Sequence, residues 1–180
     1  MRAFIAADIP DSIRDRLTEA ALSFSLPGIR VVDKSNLHLT LAFLGELEDN
    51  EIDTAKNVID GIHFDVFDID IKGIDYFGNP GVIYSAVTAG AVRIMELASS
   101  LRAGLSASGI YFDKKEFVPH VTIARMKRRT DEKVLMDQVC RFADKRFGSY
   151  TVDTVSLFKS VLGTDGPEYE KLYERKASGA

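Results

Sequence analysis

Apolar residues recur along the chain in two rhythms. Behind Pro10 and Asp11, residues Ile13, Leu17, Ala20, Ala21 and Phe24 fall at helical spacing, so 11–24 is expected to form an amphipathic helix with its polar side to water. The same period returns in Ile52, Ala55, Ile59 and Ile62, in Ile94, Leu97, Ala98, Leu101 and Leu105, and in Leu135, Val139 and Phe142. Between these lie shorter stretches with a strand pattern: 2–8, 29–32, 38–43, 66–74, 82–88, 120–127, 149–157 and a segment around 169–174. Gly78-Asn79-Pro80-Gly81 separates two of them and supplies the dihedrals of a tight turn, which predicts a hairpin over 66–88. Four helices mixed with strands predict an α+β fold.

The halves of the chain also resemble each other, because a His-x-Thr-x strand followed by a helix occurs at 38–62 and again at 120–143. No Pro/Gly/Ser-rich linker divides them, so residues 1–180 are expected to form one two-lobed unit with a shared core or a broad contact. The tail after Lys176 is expected to fray.

Composition narrows the function. The longest apolar runs, such as 37–44, fall well short of the ~20 residues of a membrane span. Met1 leads directly into the mixed strand Phe4-Ile5-Ala6-Ala7-Asp8, which points to a cytoplasmic protein rather than an exported one. A net charge of −4 argues against a protein that coats a polyanion, though a local basic site for one phosphate end stays open. Cys140 is the only cysteine, so no internal disulfide or multi-thiolate metal site forms; it reads as a packed core or boundary thiol in the helical stretch 131–143. His-x-x-x-His, cysteine clusters and EF-hand loops are all missing, so the expected chemistry uses no metal and no cofactor.

The candidate chemistry lies in the repeated motif. One half reads His38-Leu39-Thr40-Leu41-Ala42-Phe43-Leu44-Gly45 and the other His120-Val121-Thr122-Ile123-Ala124-Arg125. Strand alternation places His38 with Thr40 and His120 with Thr122, opposite the apolar Leu39, Leu41 and Phe43 of the first copy. With three histidines and nine threonines in 180 residues, two such matches have a chance probability of about 1%. A phosphate transfer needs one group to take a proton from the attacking oxygen and another to give one to the departing oxygen, and imidazole titrates in the right range for both. Threonine hydroxyls can donate to the phosphate oxygens without adding charge. His63 lacks this context and reads as a connector or surface residue.

At these motifs the sequence resembles the two-histidine (2H) phosphoesterase superfamily, and within it the RNA 2′,3′-cyclic phosphodiesterases, also called 2′-5′ RNA ligases. Asn36-Leu37 before His38, Gly45-Glu46 after it, Phe77-Gly78-Asn79-Pro80, Phe117-Val118-Pro119 before His120 and Gly166-Pro167-Glu168-Tyr169 are similar to that family too. The resemblance implies two pseudo-symmetric lobes, each an antiparallel sheet with helices outside, around a central cleft. It implies hydrolysis of RNA 2′,3′-cyclic phosphate ends to 2′-phosphomonoesters, with His38 as proton donor, His120 as proton acceptor, and Thr40 and Thr122 on the phosphate. RNA ends or small oligonucleotides are the partners it implies, with no cofactor; no membrane partner and a monomeric protein are further expectations. The residues alone do not assign acid and base, since both histidines have near-identical contexts.

Arg125 matches the family's arginine after the second motif and is a candidate phosphate ligand, although strict alternation places it opposite His120 unless a bulge intervenes near Ala124. Lys114, Lys115, Lys127, Arg128 and Arg129 form either a solvated face or an attraction for an RNA end. Tyr76 or Phe77 are candidates for base stacking, whereas the phase of Phe43 favours the core. Two alternatives stay open: a small-molecule cyclic nucleotide phosphodiesterase or 2′-5′ RNA ligase using the same cleft, and a noncatalytic RNA-end binding module.

Overall fold

The computed structural model describes residues 1–163 and 166–178, whose strands form two antiparallel sheets. In chain order the elements are β1 (Arg2–Ala7), α1 (Asp11–Leu22), β2 (Ile29–Val31), a short 3-10 turn (Lys34–Asn36), β3 (Leu39–Glu46), α2 (Asp49–Asp60), β4 (Phe67–Gly78), β5 (Gly81–Val87), α3 (Ala91–Ala107), β6 (His120–Met126), α4 (Glu132–Arg141), β7 (Arg146–Val152), β8 (Thr154–Gly163) and β9 (Gly166–Lys176). The first sheet has the order β3-β1-β8-β9 and the second β2-β6-β5-β4-β7.

Each helix buries the stripe its sequence marks out: Ile13, Leu17, Ala20 and Ala21 in α1; Ile52, Ala55, Val58 and Ile59 in α2; Ile94, Leu97, Ala98, Leu101 and Leu105 in α3; Leu135 and Val139 in α4. Residues from both sheets and all four helices join in one connected core. The expected hairpin forms with β4 and β5 closing at Gly78 and Gly81, where a Cβ on Gly81 would stand 1.7 Å from the Phe77 carbonyl oxygen. Only glycine fits there.

The lobes are not the two halves of the chain. In the first sheet β1 pairs with β3; in the second β5, which still lies in the first half of the chain, pairs with β6. Yet α1 crosses to pack on β6 and β7 of the second sheet, while α3 crosses to β3 of the first. The later helix of each half stays nearer home, α2 beside α3 and β9, and α4 on β4. Each half thus lends its first helix to the other lobe, and that exchange explains why no linker is needed between them.

Three expectations need correction. The stretch 149–157 is two strands rather than one: the chain changes sheets at Asp153, where the buried positions Val152 and Val155 break the period of two. Cys140 is exposed, because only Leu135 and Val139 of α4 face the core. The tail is tied down as far as Ser178, with Ala177 donating its backbone N–H to Asp153 and Ser178 to Phe64, while 179–180 lie outside the described residues. Among the described residues, no helix is long and apolar enough to cross a membrane.

Candidate active site

β3 and β6 approach each other from different sheets; β6 begins at His120, and His38 immediately precedes the first residue of β3, Leu39. His38, Thr40, His120 and Thr122 all line one cavity of about 240 Å³ between them. Phe43 and Arg125 line it as well, against the expectation for Phe43 and against strict alternation for Arg125. Both results have one cause. On β3 the register runs Ile5↔Ala42 and then Ala6↔Thr40, leaving Leu41 as an extra residue; on β6 it runs Ile83↔Ala124 and then Tyr84↔Thr122, leaving Ile123 as the extra one. These bulges stand at equivalent places in the two motifs. Two successive residues of each strand are buried, Leu41 with Ala42 and Ile123 with Ala124, after which the phase is inverted. Phe43, 44% exposed, and Arg125 are therefore turned to the side that carries the histidines and threonines.

Each imidazole is held the same way. His38 Nδ1 stands 2.6 Å from the carbonyl oxygen of Asn36, and His120 Nδ1 stands 2.6 Å from that of Val118. A carbonyl only accepts, so Nδ1 carries the proton in both rings and Nε2 is the nitrogen left for chemistry. Aromatic rings fix the planes: Phe4 stacks on His38 at 4.6 Å with Tyr169 edge-on at 5.1 Å, and Phe77 and Tyr84 meet His120 edge-on at 5.4 and 5.3 Å. Burial pushes the His38 pKa down to about 4; its bond to the Asn36 carbonyl opposes this, and the charges of Arg125 and Arg14 add to it. Burial also lowers the pKa of His120, with Arg125 contributing. Both rings are thus biased to the neutral form, and an anion in the cavity would reverse that bias.

Arg125, His120, Thr40, Thr122 and Phe43 also border a second hollow of about 490 Å³, walled by Phe77, Phe117 and Val118. Lys115 and Arg102 reach this side, whereas Lys127 and Arg30 reach the first. Tyr76 instead donates its hydroxyl to Glu132, so of the two stacking candidates Phe77 rather than Tyr76 lies beside His120. Arg128 lies against Gly28, and His63 is exposed away from the cleft. Among the described residues, no group of three or more His, Cys, Asp or Glu side chains is arranged to hold a metal ion.

Such a set can take a proton from one oxygen and deliver one to another, while hydroxyls and a guanidinium hold an anion between them. The chain belongs to the 2′-5′ RNA ligase superfamily, whose model matches residues 5–164. It is 32% identical over 176 residues to the RNA 2′,3′-cyclic phosphodiesterase of Methanocaldococcus jannaschii, covering 97% of this chain and 99% of that protein. To the RNA 2′,3′-cyclic phosphodiesterase of Thermotoga maritima it is 34% identical over 188 residues, covering 99% of this chain and 97% of that one. Among solved structures, a Thermus thermophilus protein superposes with a TM-score of 0.80 at 30% identity, over 98% of this chain and 97% of the other. Escherichia coli LigT complexed with 3′-AMP shares the fold with a TM-score of 0.83 at 24% identity, over 98% of each chain.

Sequence reasoning did not single out Arg30 or Tyr84. Arg30 has a signal in retrospect, as a charged residue inside a strand whose neighbours Ile29 and Val31 are apolar. Tyr84 has none, because its place depends on pairing with Thr122 across the β6 bulge.

Proposed function

We propose that this protein is an RNA 2′,3′-cyclic 3′-phosphodiesterase, a phosphoric diester hydrolase that opens the cyclic phosphate at RNA ends to leave a 2′-phosphomonoester. The observation that carries the reading is the matched pair of imidazoles, each with Nδ1 fixed on a backbone carbonyl, lining one cavity with two threonines. Nε2 of His120 takes a proton from water as the water oxygen attacks phosphorus. The P–O3′ bond breaks, and Nε2 of His38 gives its proton to the departing 3′-oxygen. Thr40 and Thr122 donate hydrogen bonds to the non-bridging oxygens, and Arg125 pairs with the charge that they share.

The reading of which histidine is acid and which is base rests on the family resemblance. Burial alone would make both rings bases, so in this scheme the substrate's own negative charge restores the proton to His38. Residues 1–180 act as one two-lobed catalytic unit, because the cavity is lined from both sheets. We read the protein as a cytoplasmic monomer.

His38→Ala and His120→Ala test the scheme. Each should abolish turnover of an oligonucleotide with a 2′,3′-cyclic end while retaining its binding, measured by fluorescence anisotropy on a labelled strand. Wild-type protein that binds the end without turning it over would make this a binding module; full turnover by either variant would remove that histidine from the chemistry.

A further inference from the structure

The cavity is lined by cationic side chains beyond Arg125, the one that the proposed reaction uses. After the β6 bulge, Arg125 and Lys127 share a face while Met126 is buried between them. β2, the edge strand of its sheet, sets Arg30 directly across from Arg125. Arg30, Arg125 and Lys127 all line the cavity, against Asp33 as the one carboxylate among its described lining residues. Neither Arg125 nor Lys127 forms an ion pair among the described residues. Arg30 also reaches the β8–β9 hairpin, its Nη2 2.6 Å from where a Cβ on Gly166 would stand.

The two hollows divide the substrate. His38 lines the cavity with Arg30 and Lys127 but not the hollow by Phe117, which His120 borders. If His38 protonates the departing 3′-oxygen, the ribose that bears it lies on the side of Arg30 and Lys127, and water arrives from the other. We propose that Lys127 and Arg30 form a second phosphate subsite, which holds the phosphodiester on the 5′ side of the terminal nucleotide. The inference rests on the proposed cyclic phosphodiesterase reading and deepens it. The protein recognises a cyclic end as part of a strand and discriminates against cyclic phosphates of single nucleosides.

The test compares two dinucleotides ending in a 2′,3′-cyclic phosphate, one with an ordinary internal phosphodiester and one with an uncharged methylphosphonate there. Wild-type kcat/KM should favour the charged linkage on the order of tenfold, the value of one charge-assisted contact. Lys127→Ala should bring that ratio close to one, and Lys127→Arg should keep it. The charged substrate should also show the steeper fall with salt, by about 0.7 in log–log slope per phosphate held. Equal wild-type rates on the two substrates would overturn the subsite alone. So would a tenfold preference that survives in both Lys127→Ala and Arg30→Gln. Turnover of neither dinucleotide would overturn the phosphodiesterase reading and the subsite with it.

Discussion

In the free protein His38 resists protonation, yet the reaction scheme requires it to arrive protonated, and the conflict has a measurable consequence. Its pKa is pushed from 6.5 to about 4, mainly by burial, which corresponds to about 3 kcal/mol against the imidazolium. A phosphate charge about 4 Å from Nε2, at the effective dielectric of a protein site, contributes attraction of about 4 kcal/mol. The two terms are of one size, so bound substrate should return the His38 pKa to its ordinary range or above. Profiles of kcat/KM report the free enzyme and those of kcat the complex. Both histidines titrate below 6.5 in the free protein, so the alkaline limb of kcat/KM should begin below that pH. The alkaline limb of kcat should lie at least about one unit higher. Initial rates on a short cyclic-ended oligonucleotide, taken across about pH 4 to 9, give both profiles. Superimposed limbs, or an imidazole titration in NMR that the 2′-phosphate product fails to move, would refute this coupling. The same depression sets the sign for stability: the unfolded chain takes up a proton at 6.5 and the fold only near 4. His38 should therefore weaken the fold as pH falls through that window, and leave it unaffected above.

Three further outcomes follow from the site's geometry. Phe43→Ala should raise KM roughly tenfold while costing less than about 1 kcal/mol in chemical unfolding, because the ring lies half in solvent; a core-sized loss would return it to the interior. Arg125→Gln should lower kcat/KM by roughly 10- to 100-fold and raise the pKa of both histidines in the free protein, since its charge now depresses both; unmoved imidazole titrations would place it outside the site's electrostatics. Cys140 should react fully with a thiol reagent in the native state without loss of activity, and resistance until unfolding would contradict its exposure.

The elements were legible wherever a single period ran unbroken: the stripes of Ile13 to Ala21 and Ile94 to Leu105 state their helices, and the glycines at 78 and 81 state their turn. The two histidines and threonines were legible because the motif occurs twice. What escaped was decided by pairing between distant segments. Phe43 and Arg125 reach the cavity only because Leu41 and Ile123 are extra residues against β1 and β5, and no local pattern in either strand announces a bulge. The crossing of α1 and α3 to opposite lobes escaped for the same reason, since amphipathic helices carry no mark of which sheet they cover. Arg125 shows the limit most clearly: its parity placed it opposite His120, and the bulge turns it into the cavity instead.

The measurement that bears most directly on the central claim is the regiochemistry of the product. Incubated with a chelator and an oligonucleotide ending in a 2′,3′-cyclic phosphate, the protein should release only the 2′-phosphomonoester, because the proton of His38 goes to the 3′-oxygen. A 3′-phosphate product would place the acid on the wrong oxygen and contradict the assignment of the two histidines, and an untouched cyclic end would contradict the function itself.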